Sequence, residues 1–471
     1  MRLSSSTSNR LLRWLPFFLA VLVVTPAFIG SENLHARAES TSFDRLMLGL
    51  RWLTSTADRW DPNFPLGTAC LMAIPHAVGL DPVLWGRLLS LVASGCAGVL
   101  LFALVRRAAG DVSASVAAGG VWLVPAVTRG AVVTGEEASY VALLLFGLLA
   151  LARATSGGWR WLLVSALAAN ATVLVRLDAM TVVPLFGVLG VWLLGLRRGG
   201  VLGVLSLGTT LLHMGVSWRV SGDPIGFARV ASFNIQRNAE GFDVLGPGLL
   251  PLNLAGELGW GVLAAAVFGV VWLWRSPTPA ARVLSSAWAW LFVVDLALTM
   301  AGAMEARTMR YLVPLLVLTI GVAAVGSIRS PMPQPEKWPW LRWLLPAAFS
   351  LSLLANVPEI VRQTREERLP DGLAVAARWL GAHGEDLPVV VGEEHPTFVV
   401  LGGLNYAASG VLPPGSPEEN RATVVRETVD RLGAVWLVEV SNNPPRTAVQ
   451  DAFPSASATF STPCCTVWRV R

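Results

Sequence analysis

Long apolar stretches alternate with short polar connections over the first 357 residues, and this pattern predicts a bundle of membrane-spanning helices. A helix needs about 20 apolar residues to cross a bilayer. Such stretches lie near residues 11–30, 84–105, 112–129, 138–152, 159–175, 179–196, 200–218, 250–274, 284–303, 311–328 and 340–357. The run at 66–80 is either a further span or a helix on the membrane surface. The first stretch has the basic start of a signal peptide, but the many later spans favour an uncleaved first helix.

Two of the polar connections are long enough to carry structure of their own, at residues 31–83 and 218–249. In the first, apolar residues recur at helical spacing from Phe43 to Leu53. That periodicity predicts an amphipathic helix lying along the membrane surface.

The pattern changes after residue 357, where short apolar runs alternate with segments of helical periodicity. Strands are predicted at residues 388–392, 398–403 and 434–440, and helices near 373–383 and 419–433. This alternation is typical of a small α/β domain. The predicted fold class is an all-α polytopic membrane domain of about 11 transmembrane helices, residues 1–357, followed by a C-terminal α/β domain, residues 358–471.

The distribution of charge gives the orientation of the helices. The composition is 54% hydrophobic and only 14% charged, whereas soluble domains carry about 25% charged residues. Arginine and lysine are concentrated in every second connection: Arg106, Arg107, Arg153, Arg160, Arg197, Arg198, Arg275, Arg282, Arg329, Lys337 and Arg342. Basic connections stay in the cytoplasm during insertion. We therefore predict a multi-pass protein of the cytoplasmic (inner) membrane, with a cytoplasmic N-terminus and an extracytoplasmic C-terminal domain.

The net charge of +5 reflects this orientation, so we expect no nucleic-acid partner. The four cysteines have no metal-ligand spacing, and adjacent Cys464 and Cys465 would need a strained ring to pair. The sequence contains neither a dinucleotide-binding nor a phosphate-loop motif. We expect no metal, no cofactor and no disulfide framework.

Ionisable residues collect at the helix ends that are predicted to face outward. They are Asp44 in the first loop, Glu136 and Glu137 before the fourth span, Arg176 and Asp178 after the fifth, and Arg307, Arg310 and Tyr311 before the tenth. Charged groups at membrane depth are costly and point to function. An acid among arginines suits a reaction in which a hydroxyl attacks a sugar carbon while a lipid phosphate departs. The carboxylate takes the hydroxyl proton, and arginine neutralises the phosphate.

Each of these residues also has a purely structural interpretation. Asp44 fits the N-cap of its helix, and Glu137 fits an acid stabilised by a helix N-terminus. Arg176 and Asp178 fit a local ion pair, and Arg310 fits an arginine that extends to lipid headgroups. The sequence leaves these alternatives open.

Several segments occur in an order that resembles the GT-C superfamily of polyprenyl-phosphate-sugar-dependent glycosyltransferases. The loop acid Asp44 is followed by DPNFPLGTACLMAIPHAVGLDP, and TGEEASYVALLLFG precedes the fourth span. RLDA follows the fifth span, SWRVSGDPIGF ends the seventh, and Arg310-Tyr311 stands before a span containing Pro314. The resemblance covers residues 11–330 and includes the protein mannosyltransferase and arabinofuranosyltransferase branches.

The resemblance implies an inverting, metal-independent transfer of a sugar from a polyprenyl-phosphate carrier to a lipid, glycan or protein acceptor. Asp44 corresponds to the catalytic base of the family. The paired acids that members often carry after the first span are absent, so Glu32 competes with Asp44 for this role.

The remaining residues matched to the family are expected to bind the substrate. Arg310 and Arg176 are expected to hold the lipid phosphate, and Tyr311 follows Arg310 in the matching motif. Glu137 and Asp178 are expected to orient the sugar or these arginines. RLDA lacks the proline and glycine of the family motif.

Two other classes of protein fit the same pattern. A transporter or flippase for a lipid-linked or anionic solute would use the arginines without chemistry, so it would move the donor without consuming it. A membrane scaffold that recruits partners through its C-terminal domain would tolerate loss of the acids and arginines.

Overall fold

A computed structural model of the chain describes residues 16, 18–28, 40–54, 65–226, 249–300, 312–329, 341–366, 371–384, 387–392, 395–404, 408–412, 421–440 and 444–471. The contacts within the chain divide it into two compact units. The first comprises residues 1–30, 60–67 and 87–364, and the second comprises residues 31–59, 68–86 and 365–471.

Helices make up most of the described chain. They are α1 (Phe18–Phe28), α2 (Ser40–Thr54), α3 (Leu66–Val78), α4 (Pro82–Ala109), α5 (Asp111–Gly120), α6 (Pro125–Val132), α7 (Glu137–Gly157), α8 (Trp159–Val175), α9 (Val183–Ser206), α10 (Gly208–Ser221), α11 (Leu249–Leu258), α12 (Trp260–Arg275), α13 (Pro279–Met300), α14 (Val313–Arg329), α15 (Leu341–Leu354), α16 (Val357–Glu366), α17 (Asp371–His383), α18 (His395–Gly402), α19 (Arg421–Leu432) and α20 (Arg446–Ala452). Short 3-10 helices cover Val121–Leu123 and Leu177–Thr181.

The first unit is a helical bundle built around α14. Every residue of α14 from Val313 to Ser327 is buried, and α5, α7, α12, α13 and α15 pack against it. A helix that is apolar on all sides and buried along its length belongs to the centre of a bundle. The helices that pack around α14 carry the exposed apolar residues that a lipid environment requires.

Glycine permits the closest helix contacts in this bundle. A methyl group at Gly269 of α12 would overlap the backbone of Val322 in α14, and one at Gly326 would overlap Ala265. Gly261 meets the backbone of Ala348 in α15 in the same way. Between apolar helices in a bilayer, small residues drive association because they allow backbones to approach closely.

Two predicted spans are bent rather than straight. The segment Asp111–Leu123 meets α6 at 72°, and α11 meets α12 at 110°. Pro125 at the start of α6 has no N–H to continue the preceding helix, and Gly259 before α12 has a φ of +79°, which favours glycine. The predicted spans 112–129 and 250–274 are therefore helical, but each contains a corner.

Asn356, between α15 and α16, stabilises both corners. Its Nδ2 donates to the carbonyl oxygen of Leu123 at 3.1 Å and to that of Glu257 at 2.7 Å. These carbonyls belong to helix ends, where no intrahelical donor is present. Unsatisfied backbone groups are costly within a membrane. The Asn356 amide therefore stabilises both helix breaks, because it donates a hydrogen bond to each carbonyl.

Helix α9 is a hairpin of two antiparallel arms. Gly195 adopts φ +79° and ψ 167° in its middle, and a methyl group at Gly199 would overlap the backbone of Gly190 and Val191. The turn at Gly195 divides the apolar segment Leu177–Ser221 into two arms, in agreement with the two predicted spans 179–196 and 200–218.

Length and composition identify the membrane segments of the described chain. Five helical segments are long and apolar enough to cross a membrane, or seven if each bent pair is one span. Shorter apolar helices are Phe18–Phe28, Leu66–Val78, Trp159–Val175 and Val313–Arg329. The predicted fold class, a polytopic helical membrane protein with a small C-terminal α/β domain, is confirmed.

The second unit contains a five-stranded sheet in the order β2-β1-β3-β5-β4. The strands are β1 (Val389–Val391), β2 (Ser409–Val411), β3 (Trp436–Val440), β4 (Ser457–Ser461) and β5 (Cys465–Arg469). Strand β1 pairs in parallel with β2 and with β3, and β5 pairs antiparallel with β3 and β4. Val390, Leu437 and Trp468 form its core with Val425 and Val429 of α19.

One strand prediction for this unit was wrong, and three strands were missed. The run at 398–403, predicted as a strand, belongs to helix α18, which packs against α17 and α2. A short apolar run has too few residues for its periodicity to distinguish helix from strand. Strands β2, β4 and β5 were missed because their sequences, such as SATFS, lack a continuous apolar run.

The amphipathic helix predicted in the first loop is present as α2. Helix α2 packs closely against α3. Gly49 lies so near the backbone of Met72 that a side chain at position 49 would not fit. The Nε2 atom of His76 lies 3.1 Å from the carbonyl oxygen of Leu46, which is fully buried.

Gly326→Ala is expected to lower the free energy of unfolding by about 1–3 kcal/mol, because the added methyl group overlaps the neighbouring helix backbone. Unfolding in a detergent–SDS titration measures the change. Gly95→Ala in α4 is the matched control, since nothing lies within 4 Å of the position where its methyl group would be placed. Equal destabilisation by both variants would contradict the close packing of α12 and α14.

Candidate functional site

The best-defined charged cluster of the first unit is centred on Arg176, directly after α8. Arg176 leaves the helix in an extended conformation, with φ −143° and ψ 132°. The following 3-10 helix, Leu177–Thr181, turns the chain back so that Asp178 faces the guanidinium group. Glu136 and Glu137 reach the same group from the start of α7.

The guanidinium group is surrounded by carboxylates. Nε and Nη2 of Arg176 donate to Oδ1 and Oδ2 of Asp178 at 2.8 and 2.9 Å, a two-pronged contact. Nη1 donates to Oε1 of Glu137 at 2.9 Å and lies 3.4 Å from Oε1 of Glu136. All three guanidinium nitrogens therefore face acids, and these charge-assisted contacts fix both the arginine and the carboxylates.

Burial makes this arrangement electrostatically demanding. Arg176 is 4% exposed and Glu137 is 8% exposed, while the side chain of Asp178 is 36% exposed. Three carboxylates face the guanidinium group of Arg176 among the described contacts. Asp178 is the open member, and its oxygens can accept hydrogen bonds from hydroxyl groups of a bound molecule.

The turn that carries the two glutamates is held by α4. Arg87 is fully buried, and its Nε donates to the carbonyl oxygen of Val132 at 2.8 Å. Its Nη2 donates to the carbonyl oxygen of Phe28 at 3.1 Å, and its guanidinium carbon lies 4.4 Å from the centroid of the Phe28 ring. The hydroxyl of Ser90 lies 3.2 Å from both N and O of Gly135. These contacts fix the backbone next to the glutamates.

Gly135 lies directly beside the carboxylate of Glu137 at this turn. A methyl group there would overlap Oε2 of Glu137. The absence of a side chain therefore lets the carboxylate fold back against the turn while its other oxygen faces Arg176.

Helix α13 supports the arginine turn from the other side. Nε1 of Trp290 donates to the carbonyl oxygen of Thr181 at 2.9 Å, and the Thr181 hydroxyl donates to the carbonyl oxygen of Asp178 at 2.7 Å. Tyr140 and Asp295 lie within electrostatic range of Asp178. The environment of Asp178 thus includes the buried carboxyl group of Asp295 in addition to the glutamates of the cluster.

A cavity of about 20 Å³ adjoins Glu137, and it has room for a single water molecule. Its walls are mainly apolar and include Trp122, Val141, Val313 and Val317. The cavity side of Glu137 thus has low polarity, which strengthens the attraction between its carboxylate and Arg176.

Three of the residues predicted from the sequence come together in this cluster: Glu137, Arg176 and Asp178. Glu32, Arg310 and Tyr311 lie outside the described residues. Asp44 lies in α2, and its side chain is outside the described part of the chain. The assignment of the base to Asp44 or Glu32 stays a prediction.

The sequence analysis missed Arg87 and Ser90, which position the glutamate turn. A signal for Arg87 was present, because an arginine stands inside the apolar stretch WGRLLSLVASG. Charged residues within spans are rare and need a partner. Ser90 gave no such signal, since serine is common in membrane helices.

The carboxylate oxygens of the cluster are largely engaged by Arg176. Within the described ranges, no group of three or more His, Cys, Asp or Glu side chains is arranged to hold a metal ion.

Solved structures similar to this chain include the following two. ArnT from Cupriavidus metallidurans, bound to undecaprenyl phosphate, is 14% identical with a TM-score of 0.64, and the match covers 99% of each chain. The oligosaccharyltransferase AglB from Archaeoglobus fulgidus, in complex with an inhibitory peptide and a dolichol-phosphate, is 10% identical with a TM-score of 0.60. That match covers 93% of this chain and 69% of the other.

These likenesses show that the chain has the GT-C fold, as the order of its sequence motifs indicated. The chain is a multi-pass membrane protein. No family model matches the sequence, and no curated protein matches it either.

Arg176→Gln is expected to lower the free energy of unfolding by about 3–5 kcal/mol, because it leaves buried carboxylates without their counter-charge. The double variant with Glu137→Gln should recover part of this loss, giving a coupling energy of about 1–3 kcal/mol. Unfolding in a detergent–SDS titration measures all four proteins of the cycle.

The same cycle on Arg106 and Asp111 is the control. Their side chains are 53% and 32% exposed and form an ion pair at 2.6 Å. An exposed pair should couple by less than about 1 kcal/mol. A coupling between Arg176 and Glu137 no larger than this would show that burial does not strengthen the cluster.

Proposed function

We propose that this chain is an integral-membrane glycosyltransferase that moves a sugar from a polyprenyl-phosphate carrier to an extracytoplasmic lipid, glycan or protein acceptor. Residues 1–357 form the transferase domain, and residues 358–471 form an extracytoplasmic α/β domain. The N-terminus lies in the cytoplasm, and the reaction takes place at the outer face of the cytoplasmic membrane.

The observation that carries this proposal is the buried cluster of Arg176 with Glu136, Glu137 and Asp178 at the ends of α7 and α8. A scaffold has no need to maintain a buried cluster of ionised side chains in a membrane protein, where the cost of burying charge is high. Carboxylates held in fixed positions are acceptors for sugar hydroxyls, and the partly exposed Asp178 is accessible for that purpose.

The fold supports the same class of substrate. The similar structures of ArnT and AglB contain undecaprenyl phosphate and dolichol-phosphate, respectively. We infer that a polyprenyl phosphate is also the carrier here. The arginines of the outer helix ends, Arg310 above all, would neutralise its phosphate.

The proposed reaction is a single displacement. The acceptor oxygen forms a bond to the anomeric carbon as the bond between that carbon and the phosphate oxygen breaks. Asp44 takes the proton of the acceptor hydroxyl, with Glu32 as the alternative base, and polyprenyl phosphate leaves with the electron pair. Arg310 binds the phosphate end, and Tyr311 contributes to substrate binding. Arg176 was also expected at the phosphate, but its guanidinium nitrogens are directed at carboxylates. Its role in the proposal is to hold Glu137 and Asp178, which orient the sugar.

The test uses the purified full chain in detergent with a panel of radiolabelled polyprenyl-phosphate sugars and a membrane extract as the source of acceptor. The wild-type protein should consume one donor and release polyprenyl phosphate. Asp44→Asn should lower kcat about 10²- to 10⁴-fold through loss of the base, and Arg310→Ala about 10²- to 10³-fold through loss of charge stabilisation.

Asp111→Asn is the control, because its loss should leave the rate unchanged. Asp111 forms an ion pair with Arg106 at the end of the bundle away from the Arg176 cluster. A normal rate in Asp44→Asn together with an inactive Glu32→Gln variant would transfer the base role to Glu32. Movement of the donor across vesicles without its consumption would replace the proposal with a transporter.

The anomeric configuration of the product tests the displacement itself. A single displacement should invert the configuration at the anomeric carbon, which the coupling constant of the anomeric proton reports in an NMR spectrum of the product. Retention would require a covalent glycosyl–protein intermediate and would contradict the role of a simple base.

A further inference from the structure

Three arginine–tryptophan pairs lie at one end of the bundle, away from the Arg176 cluster. The guanidinium carbon of Arg153 lies 4.6 Å from the centroid of the Trp161 ring, that of Arg198 lies 5.9 Å from Trp159, and that of Arg282 lies 5.7 Å from Trp192. We call these six residues the Arg–Trp face. They belong to α7, α8, α9 and α13, which pack against one another.

The charge of this face is uncompensated in its own segments. Residues 153–161, 194–201 and 276–285 contain Arg153, Arg160, Arg197, Arg198 and Arg282 and no acidic residue. Nε of Arg153 is buried and has no hydrogen-bond partner among the described residues. A buried donor without an acceptor is costly, so the described chain leaves the hydrogen-bonding capacity of this arginine incompletely used.

Other arginines at the same end differ in this respect. Arg106 pairs with Asp111 at 2.6 Å, and Arg329 donates to the carbonyl oxygen of Ala109 at 3.0 Å while it lies over Trp272. The protein thus supplies acceptors for one group of arginines at this end. The Arg–Trp face has none assigned to it within the described residues.

Apolar surface surrounds the face. Trp159 is 45% exposed and Trp192 is 50% exposed. Next to them, Val188 and Leu196 of α9 and Leu163 of α8 are also exposed. Tryptophan is enriched where a membrane protein meets the lipid headgroups. A ligand that suits this surface has an anionic oxygen group for the arginines and hydrocarbon for the exposed side chains.

We propose that the Arg–Trp face binds the headgroup of an anionic phospholipid of the adjacent leaflet. The phosphate accepts hydrogen bonds from Arg153, Arg198 and Arg282, whose stacking on indole rings orients the guanidinium groups. The acyl chains lie along the exposed residues of α8 and α9. Basic pockets between helix ends are suited to such headgroups.

This inference does not depend on the proposed transferase activity, since the face shares no residue with the Arg176 cluster. A free phosphate ion offers the same oxygens without the acyl chains. The phospholipid is favoured because exposed apolar residues border the arginines.

The test is a lipid titration of the purified full chain, followed by native mass spectrometry. The probes are dioleoyl-phosphatidylglycerol and dioleoyl-phosphatidylcholine. The wild-type protein should retain phosphatidylglycerol in preference, and higher ionic strength should weaken this binding. The triple variant Arg153→Gln, Arg198→Gln and Arg282→Gln should weaken it by about fivefold for each arginine removed.

The matched control is the triple variant Arg106→Gln, Arg107→Gln and Arg329→Gln, which removes the same charge from the same end of the bundle. It should change the affinity for phosphatidylglycerol less than twofold. An equal loss in both triple variants would mean that total charge alone attracts the lipid, and it would overturn the proposal.

Two further arms keep the outcome clear. Arg153→Lys, Arg198→Lys and Arg282→Lys retains the charge and should still lose affinity if the planar guanidinium contact matters; full affinity would contradict the proposed geometry. Displacement of phosphatidylglycerol by millimolar inorganic phosphate, or equal binding of phosphatidylcholine, would each replace the proposed ligand. The wild-type comparison of the two lipids needs no variant to fold.

Discussion

A buried guanidinium group must be matched by acids, and the local structure around Arg176 follows from that requirement. Its two-pronged contact with Asp178 depends on the 3-10 turn after α8. Its contact with Glu137 depends on a turn before α7 that has no side chain at position 135.

The supporting contacts extend this dependence to the surrounding helices. Arg87 and Ser90 connect the glutamate turn to α4, and Trp290 connects the arginine turn to α13. Four helices therefore contribute to the position of one ion cluster. Such redundancy is consistent with a site whose geometry has to be kept while a substrate enters and leaves.

The bilayer imposes a second constraint, since each broken helix exposes backbone groups that water cannot satisfy. The corners at Pro125 and Gly259 expose carbonyls that Asn356 binds from a third break in the chain. The corner at Pro125 also directs α6 toward the turn that carries the glutamates. The segment around Pro125 thus contributes both to pairing the backbone carbonyls and to positioning the charged cluster.

The sequence predicted a polytopic helical protein correctly, because a bilayer demands long apolar stretches and little else. It predicted about 11 spans, whereas five helical segments of the described chain, or seven with the bent pairs, are long and apolar enough to cross a membrane. It also indicated Glu137, Arg176 and Asp178, whose charge at helix ends is conspicuous. The corners at Pro125 and Gly259 were not foreseen, since both lie within apolar runs of ordinary length. In the C-terminal domain the run FVVLGG was too short to reveal a helix, and β4 and β5 carry too few apolar residues to be recognised as strands.

The glycine hairpin of α9 shows how few positions of the sequence need a particular residue for this fold to form. Gly190, Gly195 and Gly199 are dictated by backbone shape, whereas the lipid-facing positions between them need only be apolar. Information about the fold is therefore concentrated in a small number of glycines, prolines and charges. A fold specified at so few positions is compatible with the 14% identity between this chain and ArnT, whose structure is similar.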